Sequence, residues 1–350
     1  MKKLILFTVL LFCSMCFKSK LVQGQYLNAK PEDFTEITNR TLIVQMMHED
    51  NYYIEEVNKK IEKTKNVNRK EELQKDLESY KNFIIDFNKY IKDVVDKYWL
   101  YNKKKPVEFK SFSEVEVLRR NDPRSYTILL FHNSKKWVRN EYGKETYANH
   151  TIPTLIYSRL ENCNPYDPSF YEKIDYSFFF PYINMRKESE LLSTDLVLSF
   201  RVMQLHIKVI LEKNKKDYKV VNFARDQAEE NCHEVAKQNF LLEDRLMENK
   251  VTKADISKVF TGNINIIPSS EVSAAIEKDE DFLVGMAIPY EIKSDKSGIP
   301  GLELAERIMY YKCFVDIKTG EIYSVYGDKT VDNWEPYFNV KEFKKLEKCK

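Results

Sequence analysis

Two stretches of the chain, VEFKSFSEVEVLRRNDPRSYTILLF at residues 107–131 and INIIPSSEVSAAIEKDEDFLVGMAIPY at 264–290, write the same order of elements about half a chain apart. Each reads as a strand, a Ser-Glu-Val opening a short helix, an acidic turn and a second strand. Setting Ser113-Glu114-Val115 on Ser270-Glu271-Val272, with one gap in the turn, brings Tyr126 onto Phe282. Ser113 with Glu116 has the spacing of a capping box, Ser269 or Ser270 can cap the later helix, and Glu271 favours its dipole. Upstream of each copy stand a helical pattern, residues 69–100 or TKADISKVF, and an apolar strand run, TLIV or NFLL. A three-residue identity can arise by accident, so the surrounding order of elements is what supports a duplication. Strands separated by helices imply a largely parallel sheet. The expectation is an α/β protein of two tandem, related αβ sandwich domains, the second ending in a β-hairpin.

The N-terminus restricts location. MKKLILFTVLLFCSMCFKSKLVQGQ has two lysines, an apolar run from Leu4 to Phe17 and small residues before Gln25, the order of an export signal. The run is shorter than the about 20 apolar residues that cross a bilayer. A signal peptide over 1–24 and a periplasmic or secreted mature protein follow, with lipid anchoring through Cys16 as the alternative. Removing residues 1–24 takes away four lysines and no acid, leaving 52 basic and 54 acidic side chains. Such a balance gives no general attraction to nucleic acid or anionic lipid, and the clusters Lys103–Lys105 and KEFKKLEKCK read as solvated faces. No later segment is apolar enough for a permanent membrane span.

A mature chain of this length fits two cores. The divisions expected are a first α/β domain over 25–186 with a long helical insertion, connecting helices over 187–237 and a second α/β domain over 238–350. The insertion carries Leu73, Leu77, Tyr80, Ile84, Phe87, Ile91, Val94 and Tyr98 in steps of three and four, one stripe along a helix. Phe83, Ile85, Tyr90, Val95 and Trp99 widen that stripe beyond a coiled-coil seam. YSFFFPYI completes the first sheet, and STDLVLSFRVMQLHIKVILEKN reads as a helix with Leu196, Phe200, Met203, Ile207 and Ile210 on one face. RIMYYKCFVDI, KTG and EIYSVYG form a hairpin that needs positive φ at Gly320.

Four cysteines survive cleavage, Cys163, Cys232, Cys313 and Cys349, and in an oxidising compartment they allow two disulfides in three pairings. None forms a CxxC, and Cys313 alternates with Met309, Tyr311, Val315 and Ile317 as a small buried side chain. Neither GxGxxG nor GxxxxGK[ST] occurs, nor a GxSxG elbow, nor HExxH. His48, His132, His150, His206 and His233 are scattered, and Cys232-His233-Glu234, about 100° apart on a helix, cannot converge on one atom. No cofactor, metal site or catalytic set is therefore expected.

In open parallel sheets ligands bind beyond the carboxyl ends of strands, and TILLF runs straight into His132-Asn133-Ser134. The matching place in the second copy is Tyr290, followed by EIKSDKSGIPGLELAE as a flap. These four residues are the candidate binding site, the bland reading being two surface loops. The functional expectation is a non-catalytic binding or envelope-assembly component that takes an envelope or extracellular protein or a small ligand. The competing reading is a secreted hydrolase with its active site between the domains.

Overall fold

The structure, a computed structural model, describes residues 31–122, 125–139, 145–158, 175–179, 192–215, 218, 220–292, 307–326 and 336–348. Helix α1 (Pro31–Asn39) leads into β1 (Thr41–Gln45), whose TLIV core is buried. The crossover is a helical hairpin, α2 (Asn51–Lys63) and the 32-residue α3 (Val67–Tyr98). Asn66, from the NVN interruption, caps α3 by accepting the Arg69 N–H. After β2 (Glu108–Lys110) come α4 (Phe112–Asn121), β3 (Tyr126–Arg139), β4 (Glu145–Ser158) and β5 (Asp175–Phe179). The five strands form one sheet in the order β2-β1-β3-β4-β5.

Helices α5 (Ser193–Lys213) and α6 (Val220–Asn231) follow, and a 3-10 turn, Cys232–Lys237, enters β6 (Asn239–Glu243). The remaining elements are α7 (Lys253–Ser257), β7 (Asn263–Ile267), α8 (Ser269–Glu277), β8 (Leu283–Ile292), β9 (Arg307–Asp316), β10 (Ile322–Tyr326) and α9 (Val340–Glu347). The second sheet runs β10-β9-β8-β6-β7. Its order and strand directions match those of the first.

In each sheet the earliest strand pairs in parallel with the next two, and the last three pair antiparallel. Half of each sheet's pairings are thus antiparallel, which corrects the expectation of largely parallel sheets. Antiparallel neighbours need only a hairpin, whereas a parallel strand needs a crossover, so the chain places helices only around the first three strands. Registers agree as well. Ile43 faces Glu108 and Ile128, while Leu241 faces Asn265 and Val284. Val115 and Val272, each the fourth residue of its helix, pack on those pairs. The box that caps α4 is formed by Ser111 and Glu114, two residues before the expected pair, and α8 begins after Pro268 with no side-chain cap.

The two sheets share a core through α5. Its helical pattern suggests one apolar face, yet Leu196, Val197, Leu198, Phe200, Val202, Met203, Ile207, Val209 and Ile210 are all buried, and only a narrow stripe through Lys208 and Glu212 reaches solvent. They pack with Leu42, Val44 and Leu129 of the first sheet and with Val284, Met286, Cys313 and Val315 of the second. Burial over most of the circumference leaves the helix's buried polar groups needing partners. Gln204 donates to the Tyr98 carbonyl at 2.8 Å and accepts from the Leu100 N–H at 2.6 Å. Arg201 donates to the Ile317 carbonyl and to Asp279 at 2.5 Å, and its guanidinium lies over the Tyr98 ring. Thr194 and Ser273 share a hydrogen bond of 3.0 Å, tying α5 to α8.

Around α3 the stripe is buried from Phe83 to Val95, but Ile85, expected to widen it, is 65% exposed. A second cluster lies on the far face of the second sheet, where Phe240, Phe260, Phe314, Phe338 and Phe343 meet. Gly285 follows Val284 as Leu129 follows Ile128, and a Cβ there would come within 2.5 Å of Leu242 and 3.1 Å of Phe314. On this face Lys312 and Glu342 form a buried ion pair at 2.8 Å, which holds α9 to β9. Gly320 turns the β9–β10 hairpin at φ +76°, as the KTG pattern requires.

Three outcomes follow for stability. A Cβ at Gly320 would lie 2.7 Å from the α5 backbone at Arg201 and Val202, besides straining the positive φ. Gly320→Ala is expected to cost about 3 kcal/mol in urea unfolding. Lys312→Ala, which strands the Glu342 carboxylate, should cost about 3–5 kcal/mol, whereas the double change Lys312→Met and Glu342→Leu should cost far less. Burial also depresses His206, beside the Tyr218 carbonyl and stacked on Phe223, to about 3. Unfolded histidine titrates near 6.5, so between about pH 6.5 and 3 the unfolded chain holds the extra proton and stability falls as pH falls. Unfolding free energy should drop by about 2 kcal/mol from pH 7 to pH 5 through this residue, and His206→Gln should remove that part of the slope.

Candidate functional site

The carboxyl ends of β1 and β2 lie on one side of the first sheet, and three tethers fix the chain there. The Met46 N–H donates to the Lys110 carbonyl at 2.8 Å, closing the gap between the two strand ends. Asn88, on α3, binds the N–H and carbonyl of Met47, both at 2.9 Å. The Asp50 N–H donates to the Tyr80 hydroxyl at 2.8 Å, while the Asp50 carboxylate caps α2 by accepting the Tyr53 N–H. The loop from Met46 to Asp50 is thereby held by a helix, although it lies on the surface.

This loop carries His48 over the ring of Phe112, stacked with 5.3 Å between centroids. Phe112 is the first residue of α4 and is 46% exposed, and Val117, five residues further along the helix, is 55% exposed. Ser111 and Glu114 hold the start of α4 through the capping box, and the hydrogen bonds from the Ser111 side chain and backbone keep the Glu114 carboxyl below its usual range. An aromatic pair on a rigid mount is suited to bury an apolar or flat group while leaving polar edges in water.

β3 does not stop where β1 does. Its pairing with β1 ends at Leu129, and β4 accompanies it alone from Phe131 to Arg139, opposite Pro153 to Glu145. A two-stranded ribbon thus rises beyond the carboxyl end of β1. The expected site residues His132, Asn133 and Ser134 stand at its base, paired in register with Ile152, Thr151 and His150. They are strand residues, which corrects the expectation of a loop. TILLF offers no stop signal, and the polar residues that follow continue the ladder. Tyr290 lies in β8 opposite Met309, on the corresponding ribbon of the second sheet, so the four residues do not form one consecutive site. Of the expected flap, residues 293–306 lie outside the described residues.

The same end of the second sheet is closed differently. Glu243, the last residue of β6, is buried and accepts hydrogen bonds from Arg245 Nε at 2.6 Å and Ser269 Oγ at 2.5 Å. This internal ion pair occupies the place corresponding to Gln45 of β1 by register. Among the described residues no cluster of three His, Cys, Asp or Glu could hold a metal ion. Cys313, counted among the cysteines able to pair, is free, and burial pushes its thiol up to about 12, where it is inert at neutral pH. Cys163 and Cys349 lie outside the described residues.

The His48–Phe112 pair was not legible in the sequence, since the two residues are far apart and only the parallel β1–β2 pairing brings them together. No family model, curated protein or solved structure matches the chain.

The mount and the ring it presents should separate cleanly under mutation. Asn88→Ala leaves a backbone donor and acceptor without their partner and should cost about 1–3 kcal/mol. Phe112→Ala, at an exposed position, should stay within about 0.5 kcal/mol. Urea unfolding of the two variants beside the parent checks both.

Proposed function

We propose that the protein is exported and acts as a non-catalytic binding or envelope-assembly component, taking an envelope or extracellular protein or a small ligand at the carboxyl end of its first sheet. One observation carries this reading: an exposed, rigidly mounted His48–Phe112 stack at the same end of the sheet as a β-ribbon that extends beyond β1. Binding needs a shaped surface with an anchor for apolar contact, and an exposed aromatic at the end of the sheet from which the ribbon extends offers both. The lysine, apolar and small-residue order of residues 1–24 supports export.

The proposal includes a duplicated architecture, with related units over 25–186 and 238–350 joined by 187–237. The shared strand order, strand directions and parallel registers support it. On this view the second unit's corresponding end, filled by Glu243, Arg245 and Ser269, serves stability, and the first unit retains the binding role.

Two measurements test the reading. Mass spectrometry of the native mature protein should find an N-terminus near Gln25, and an intact Met1 would overturn export. The double variant His132→Ala and Asn133→Ala, and separately Phe112→Ala, should unfold close to the parent yet lose at least tenfold in recovery of cross-linked envelope partners. Equal recovery from parent and variants would remove this end of the sheet from consideration, and a hydrolytic activity of the purified protein would overturn the non-catalytic reading.

A further inference from the structure

We infer that Cys232 is cross-linked to Cys349, a disulfide that fastens α9 to the amino end of the second sheet. Cys232 is disulfide-bonded, and Cys313, which is free, is not its partner. Cys13 and Cys16 belong to the leader that export removes, which leaves Cys163 and Cys349.

The place of α9 favours Cys349. Cys232 opens the 3-10 turn that enters β6 at its amino end. Val235 of that turn shares a core cluster with Phe343 and Leu346 of α9. One residue beyond Leu346, the Glu347 carboxylate accepts the Thr261 N–H at 2.9 Å, just before the amino end of β7. The last turn of α9 therefore lies at the same end of the sheet as Cys232. Cys349 follows Glu347 by two residues, a reach of about 7 Å, and a disulfide needs Cα atoms roughly 4.4–6.8 Å apart. Cys163 belongs to the connection between β4 and β5 of the first sheet.

The bond would complete a set of ties along α9. Its first turn is held by the Asn339–Glu342 capping box and by the buried Lys312–Glu342 pair, and its last by Thr261. In the reaction two thiols become one disulfide, releasing two protons and passing two electrons to the disulfide of a thiol–disulfide oxidoreductase, which leaves as a dithiol. The inference rests on the export reading, because the cytosol keeps such thiols reduced.

The test uses residues 25–350, reduced and then reoxidised with glutathione disulfide, so that pairing is measured apart from location. Non-reducing peptide mapping is expected to join the Cys232 and Cys349 peptides, lighter than their sum by two hydrogens. Cys349→Ser should leave Cys232 open to alkylation and lower the Tm by roughly 5 °C, while Cys163→Ser should leave the bond in place. A Cys232–Cys163 peptide, or Cys232 alkylated in the folded parent, would overturn the assignment. If the bond forms in vitro but Cys232 and Cys349 are both thiols in the protein isolated from cells, the pairing stands and the export reading falls.

Discussion

The two sheets are arranged around one helix whose buried side chains leave only a narrow stripe, through Lys208 and Glu212, to solvent. Helix α5 packs its apolar side chains against both sheets, so neither sheet can bury its inner surface without it. A helix buried over most of its circumference must satisfy the polar groups it takes out of water. Gln204 satisfies the end of α3, Arg201 the turn after β9 and the turn after α8, and Thr194 the flank of α8. These contacts determine rotation as well as position, because each is directional where apolar packing is not.

The sheets meet α5 with different faces. In the first, Leu42, Val44 and Leu129 look toward the shared core, and Ile43, Val115 and Ile128 form a small separate cluster beneath α4. In the second, Leu241, Val272 and Val284, the residues matching that small cluster in register, are the ones in the shared core. The sheets are therefore stacked in the same sense, without the mirror arrangement that would put like faces together. This leaves α4, with Phe112 and Val117, on the outside of the stack, and it is why an apolar helix start is accessible at the end of the first sheet.

Much of this architecture was legible in the sequence, for reasons tied to particular residues. TLIV and NFLL are short β-branched or aliphatic runs followed by helical spacing, and both form interior strands, paired on both sides, one place in from the edge of their sheets. The KTG turn and the alternation from Met309 to Ile317 announced the last hairpin. Strand direction after β3 and β8 was not legible, because periodicity records which face is buried and says nothing of the neighbour's direction. The surroundings of α5 were hidden for a related reason: a five-residue stripe was visible, but Val197, Val202 and Val209 also fit a helix with one wide face. At the candidate site, His132 to Ser134 were found by position at the end of an apolar strand, whereas His48 and Phe112 depend on a tertiary pairing that local patterns do not encode.

Gly285 shows how differently two sheets of matching order fill their interiors. The first sheet has Leu129 at the place where the second has a glycine, and the vacated side-chain volume is taken by Leu242, Phe314 and Phe338. A leucine and a cluster of aromatic rings are alternative ways of filling one layer at native density. The two cores are thus not interchangeable part by part: copying a residue from one unit into its counterpart would overfill one layer or empty the other. Substitutions in such layers are coupled within each sheet and independent across the two, so one strand order can be held by side chains with no common identity.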